Sequence, residues 1–241
     1  MSKVYGNRLD ALEIDRIKEV YAQRKKVVPE ERYSFFSRAN LFIVQTRERA
    51  ILNLLDSNRI APIKTKVILD VGCGKGQLLR EFIKYGARPK NLYGVDLVVD
   101  RSEEAKSISP NIDFRCVNAE KLPYENNTFD LALSFTLFTS ILNEKMKQNI
   151  AFEMLRVLKP EGFILWYDFH INNPKNPDVR GIKRKEIYEL FPNCEISLEK
   201  ITLAPPLTRA IAPYSWLACY LLEKIPLLRT HYLGIIKKAC V

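Results

Sequence analysis

Lys66-Val67-Ile68-Leu69-Asp70-Val71-Gly72-Cys73-Gly74-Lys75-Gly76-Gln77 is the stretch that decides the fold. Its apolar run meets Asp70 and then three alternating glycines, Gly72, Gly74 and Gly76. Leu78, Leu79, Phe82 and Ile83 follow at helical spacing. A buried strand, a tight Gly-rich turn and a helix is how doubly wound α/β folds open their ligand crevice. Glycine adopts positive φ at little steric cost and lets a ligand approach the main chain. Spacing excludes two common readings. A dinucleotide fingerprint needs its third glycine where Gln77 stands, and a phosphate-cradling loop needs Ser or Thr after the lysine, where Gly76 stands.

Outward from this turn, strand and helix patterns alternate, as in a parallel sheet. A second strand ends at Asp96, 26 residues beyond Asp70. An acid at that strand tip can accept two hydrogen bonds from a ribose diol. Further strands are predicted at about 112–117, 129–135, after 159, and at 195–203, with helices at 143–159 and 183–191. A last strand is expected over His231–Ile236. Upstream, two amphipathic helices are predicted at 8–27, with Leu9, Leu12, Ile17, Val20 and Tyr21 near one face, and at 39–57. Between them, Tyr33, Phe35, Phe36 and Arg38 crowd one short segment.

Three landmarks together resemble the class I S-adenosylmethionine-dependent methyltransferases, and within them the type-11 group. They are Asp70-x-Gly-x-Gly-x-Gly76, the run Asn118-Ala-Glu-Lys-Leu-Pro-Tyr through Phe129-Asp130, and Leu158-Lys-Pro-Glu-Gly162, which together cover roughly 60–170. The resemblance implies a Rossmann-like seven-stranded sheet with an antiparallel last strand. It implies a helical cap over 1–59 and a methyltransferase domain over 60–241, with an apolar helical insertion or lid at 204–229. The implied cofactor is S-adenosyl-L-methionine. Asp70, Gly72, Cys73, Gly74 and Gly76 would face its methionine end, joined by Ser134 and Phe135 of the fourth strand. Asp96 and Leu97 would take the ribose, and Asn118, Ala119 and Glu120 the adenine. The family usually carries aspartate where Asn118 stands, and asparagine can still accept a hydrogen bond there through its carbonyl.

Ligands of open α/β sheets bind at the carboxyl ends of the strands. The fifth strand runs out into Asp168, Phe169, His170 and Asn172, followed by a Pro-rich loop to Arg180. A hydroxyl acceptor benefits from a general base. His170 has the intrinsic pKa for that role. Asp168, on the same side of the strand, is the competing base or the group that orients His170. Tyr21, Tyr33 and Arg38 from the cap, with Asn172 and Arg180 from the loop, are the candidate acceptor contacts. Neither His170 nor His231 has neighbours at metal-ligand spacing, so no metal is expected.

The 241 residues are 47% hydrophobic and 27% charged, an ordinary globular balance. The net charge of +10 is uneven: 12 basic residues against 8 acidic in 1–59, 15 against 14 in 60–170, and 11 against 6 in 171–241. Basic flanks suit an anionic partner. The opening residues are too charged for a signal peptide core. Five scattered cysteines without a paired motif argue for reduced thiols, so a cytoplasmic location is expected. The segment from Ala210 to Leu222 is uncharged, with aromatic and basic residues about it, as in peripheral contacts at an inner membrane face.

The cap segment, the loop after the fifth strand and the tail around Leu228–Gly234 resemble bacterial methyltransferases of surface-polysaccharide synthesis. That resemblance implies a sugar hydroxyl in a nucleotide- or lipid-linked glycan as acceptor. Ring or lipid methylation in quinone synthesis is the alternative. RNA is the weaker reading, since the basic residues form no dense run.

Overall fold

The computed structural model describes residues 2–174 and 176–238, with the side chains of 2–11 and of Glu30 outside the description. Leu9, expected on the apolar face of the first helix, is among those side chains.

Strand β1 (Ile68–Val71) is buried at every position, because it pairs in parallel along both edges. Its neighbours are β2 (Leu92–Asp96) and β4 (Phe129–Phe135). Beyond β2 lies β3 (Asp113–Cys116), and beyond β4 lies β5 (Leu158–Phe169), both parallel. Then β7 (Arg229–Lys237) inserts antiparallel between β5 and β6 (Glu195–Leu203). The order β3-β2-β1-β4-β5-β7-β6 is the seven-stranded, doubly wound sheet that the sequence predicts, with the last strand slightly longer than expected. Strand order reverses between β1 and β4, and a crevice opens there at the strands' carboxyl ends.

Two apolar layers hold the sheet. On one face α5 (Glu144–Val157) and α6 (Arg184–Leu190) bury Met154, Ile150 and Ile187 against Trp166, Phe138 and Phe191. On the other, α3 (Gln77–Lys84) buries Leu79 and Phe82. Each such fully buried side chain contributes about 1.5–3 kcal/mol. The helix α4 (Val99–Ile108) lies beside β2 and β3.

The two helices ahead of the sheet have different places. Helix α2 (Arg38–Ser57), capped by the Ser37 hydroxyl, buries Ile51 and Leu55 in the same layer as Phe82. It is part of the sheet's packing. Helix α1 (Ser2–Val27) instead crosses the crevice. The Glu13 carboxylate accepts the backbone N–H of Leu142 at 2.6 Å and a bidentate pair from Arg16. Arg16 also donates to the Ser140 carbonyl at 2.8 Å. The expected apolar face is only partly buried: Ile17 is inside, and Leu12 is exposed.

The insertion at 204–229 forms α7 (Pro205–Ile211), begun by two prolines, and α8 (Trp216–Glu223), capped by Ser215. Phe42 of α2 packs against Trp216 and Tyr220 at ring-centre distances of 5.8 and 4.9 Å. With Ala39, Leu203, Ala212 and Cys219 they form a small third core. No residue of 204–229 is in the crevice lining; the segment, expected as an insertion or lid, packs on α2 and β6. Among the described residues no helix is long and apolar enough to cross a membrane.

Candidate functional site

The Gly-rich turn is shaped by its neighbours. Gly72, Gly74 and Gly76 have φ of +80°, +56° and +75°, a region that side chains with a Cβ avoid. A Cβ on Gly74 would land on the Arg101 guanidinium, and one on Gly76 on the Phe114 ring. The N–H groups of Gly72 and Cys73 both donate to the Val95 carbonyl, at 2.8 and 2.9 Å, tying the turn to β2. One residue further, Asp96 takes over. Its Oδ2 accepts from Gly74 N–H at 2.8 Å and its Oδ1 from Val98 N–H at 3.0 Å.

Arg101 completes this corner. Its Nη1 stands 3.5 Å from Asp96 Oδ2, and its guanidinium lies over the Tyr21 ring at 4.4 Å. Burial opposes the charge on Arg101, but Asp96 and Tyr21, with a smaller part from Cys73, together outweigh it, so the guanidinium pKa rises. Tyr21 Oη also meets Ser140 Oγ at 3.3 Å. Helix α1 is therefore fastened to both walls of the crevice.

Of the sequence-named residues, Gly72, Asp96, Leu97, Asn118, Ala119, Phe135 and Tyr21 line this crevice. Gly74, Gly76, Cys73, Asp70, Ser134 and Glu120 lie outside the lining. Gly74 is covered by Arg101. Asp70 is buried, and its carboxyl is pushed up to about 8, first by burial and then by the nearby Asp96 charge. Burial likewise pushes the Cys73 thiol up, against any role as a ready nucleophile. Ser134 is sealed inside β4. The Glu120 carboxylate is turned to Asn118 and Asn149, at 3.0 and 2.7 Å. Arg101, Thr136, Leu137, Met146 and Ile150 line the crevice without having been singled out. Arg101 had a visible signal, a cation five residues after the strand-end acid. The others had none beyond being small or apolar.

The expected base is elsewhere. Asp168 is fully buried and accepts Thr139 Oγ1 at 2.5 Å and the Thr139 N–H at 3.2 Å. Burial pushes its carboxyl up to about 7, against these bonds. His170 is also buried, stacks on Tyr232 at 4.5 Å and has Nε2 3.1 Å from the Arg229 carbonyl. Burial and the charges of Lys200 and Lys183 lower its pKa. Both side chains are packed away inside the protein, and neither lines the crevice. The acceptor candidates also scatter. Tyr33 is exposed, and Arg38 donates to the Pro213 carbonyl at 2.8 Å. Asn172 accepts the Gly181 N–H at 2.8 Å, and Arg180 pairs with Glu144 and Glu186. Tyr21 alone of the five reaches the crevice. Among the described residues no group of three His, Cys, Asp or Glu side chains could hold a metal ion.

Residues 68–162 match the family model described as a methyltransferase domain, and that stretch supplies the crevice lining apart from Ile17 and Tyr21. An uncharacterised methyltransferase of Schizosaccharomyces pombe is 33% identical over 99 residues, 41% of this chain and 37% of its own length. A ubiquinone/menaquinone biosynthesis C-methyltransferase of Ectopseudomonas mendocina is 33% identical over 116 residues, 46% of this chain and 43% of its own. The chain thus matches less than half the length of either relative. Among solved structures, a SAM-dependent methyltransferase from Methanosarcina mazei superposes with a TM-score of 0.57 at 16% identity, covering 77% of this chain and 98% of that one. That likeness carries the fold.

Proposed function

We propose that the chain is an S-adenosylmethionine-dependent methyltransferase acting on a small, lipid-borne acceptor. The observation that carries the donor half is the Asp96 corner. A carboxylate at the tip of β2 faces the crevice, and apolar walls from Leu97, Val117, Ala119 and Ile150 stand beside it. These residues fit the nucleoside of the cofactor: Asp96 for the ribose hydroxyls, the apolar walls for adenine, and the main chain at Gly72 and Leu137 for the methionine end. The backbone bonds of Asp96 leave each carboxylate oxygen a further lone pair for a ribose hydroxyl. When bound, the cofactor supplies an electrophilic methyl whose departing thioether is neutral.

The chain's own residues position and desolvate. Tyr21 and Arg101 close one side, and Ile17, Ile141 and Met146 keep that side apolar. Much of the acceleration of such a displacement comes from alignment of the reacting atoms. Among the described residues the only carboxylate in the lining is Asp96, which is engaged with backbone N–H groups, Arg101 and, in this reading, the ribose. An acceptor that carries its own activated nucleophile, such as an electron-rich quinol ring, suits that lining best. The quinone-synthesis relative supports this acceptor class. A sugar hydroxyl in a nucleotide- or lipid-linked glycan is the second reading, favoured by the polysaccharide-type cap and tail segments and by the hydroxyls of Thr136 and Ser140 in the lining. A lipid-borne acceptor in turn favours a peripheral place at a membrane face.

Transfer of labelled methyl from S-adenosylmethionine to fractionated cell extract tests all of this. Label in isoprenoid quinones supports the leading reading, and label in glycan lipids or sugar nucleotides supports the second. Label in RNA overturns both acceptors and keeps the enzyme.

A further inference from the structure

Val27 and Phe152 are exposed singly elsewhere, but several of the most exposed apolar side chains fall in the Tyr33–Phe36 turn and the 204–229 segment, which the crevice does not use. Phe36 is 99% exposed, Tyr214 87%, Leu227 81%, Leu217 69% and Leu221 62%. Tyr214, Leu217 and Leu221 fall three and four residues apart, which sets them along one side of α8 and the turn before it. The turn bearing Phe36 is fixed beside them. Arg38 donates to the Pro213 carbonyl at 2.8 Å, and Asn40 donates to the carbonyls of Tyr33 and Ser34 at 2.8 and 3.2 Å. Beneath, Phe42, Trp216 and Tyr220 lock α2 to α8. A rigid base thus holds large apolar tips out in solvent, the kind of surface that marks an interaction site.

Charge selects the occupant. Arg38, Arg209 and Lys224, at the start of α2, in α7 and at the end of α8, are exposed on the elements that carry these tips. The one acid between residues 204 and 229 is Glu223, which is half-buried. Protruding apolar and aromatic tips in a cationic rim match an anionic lipid surface, where the tips enter the acyl boundary and the cations meet headgroups. A protein interface of ordinary composition would deplete lysine at its core. We propose that the face made by the Tyr33–Phe36 turn, the α7–α8 corner and α8 docks this protein onto an anionic membrane surface. The inference rests on the lipid-borne acceptor for its purpose, and its test does not use methyl transfer.

The full chain is sedimented with vesicles of phosphatidylcholine alone and of phosphatidylcholine mixed with phosphatidylglycerol, at low and high salt. The expected result is binding to the anionic vesicles about tenfold tighter or more, weakened by salt. The triple change Phe36→Ser, Leu217→Ser and Leu221→Ser is expected to reduce that binding about tenfold or more, with far-UV circular dichroism and S-adenosylmethionine binding unchanged. Leu217→Ser alone, at an exposed site, gives the same direction with less perturbation. Arg209→Gln with Lys224→Gln is expected to abolish most of the preference for anionic vesicles. Failure of the wild type to bind either vesicle overturns the proposal. So does vesicle binding indifferent to the apolar changes. A dimer in sedimentation velocity that the triple variant dissolves, without vesicle binding, overturns it in favour of a contact between copies. Loss of cofactor binding in the wild type would instead strike the methyltransferase reading and leave the vesicle result standing.

Discussion

Asp96 at the tip of β2 and Asp168 near the tip of β5 are both buried acids at the same end of one sheet. Their surroundings separate them. Asp96 takes two backbone N–H groups from its own crevice wall and leaves Arg101 and the crevice on its open side. Asp168 is enclosed, and its bonds go to Thr139 and to the Phe169 N–H at 3.1 Å. One carboxylate is arranged to meet a ligand, while the other pins the segment after β4 to β5. A strand-end acid acquires a function from what remains unspent around it.

The sharpest break in this comparison is Asp96→Ala. On the proposed role it removes the acceptor of two ribose hydroxyls, and it is expected to weaken S-adenosylmethionine binding by about 10- to 100-fold, equivalent to about 1.4–2.7 kcal/mol. Isothermal titration reads this directly, and an affinity within about threefold of wild type would remove Asp96 from the site. Asp168→Ala tests the other arm. It leaves the Thr139 hydroxyl and N–H without their acceptor and is expected to cost about 1–3 kcal/mol of stability in denaturant unfolding, with cofactor affinity unchanged.

The same arm carries a pH signature. The Asp168 and Asp70 carboxyls, raised to about 7 and 8, hold protons that the unfolded chain has shed, so their contribution to stability falls as pH rises through that range. His231, lowered by burial to about 3, acts in the opposite sense only below its usual value near 6.5. Stability is therefore expected to decline between about pH 6.5 and 8, and Asp168→Asn to flatten that decline. An unchanged slope would mean that Asp168 does not titrate there.

Tyr21→Ala sharpens the crevice side. It removes the surface on which Arg101 lies and is expected to weaken cofactor binding by about two- to tenfold, the range of a partly shielded cation–π contact. The smallest effect belongs to His170→Gln, which keeps a polar group near the Arg229 carbonyl. Turnover within about twofold of wild type across pH 6 to 9 is expected, whereas loss of the acid-side rise of rate with pH would restore His170 as a base.

What was legible in the chain follows from the range of the interactions. The Asp70-to-Gly76 turn could be read because three glycines at one spacing answer a local need for positive φ. The strands could be read from their apolar runs, and the antiparallel last strand came from the resemblance. His170 could not be placed, since its burial depends on Tyr232 and on the Arg229 carbonyl, some sixty residues away. Arg38 and Tyr33 misled for the same reason: the α7–α8 corner, distant in sequence, draws the start of α2 away from the crevice. The division of labour between α1 and α2 was invisible as well, because either helix has an apolar stripe and only packing decides its destination.

The neighbourhood of β1 also sets a timetable. Its partner on one edge, β4, pairs Ile68 with Leu131, so the wall carrying Phe135 and Leu137 is absent until that later segment has been made. Helix α1 waits longer still, because the Ser140 and Leu142 groups that fasten it come after β4. A chain growing from its amino end therefore carries α1 without its anchorage while the strands assemble. Made before any strand of the sheet, α1 is among the last elements to find its seat, and ribosome-bound chains stopped before β4 are expected to expose it to proteases that the finished protein resists.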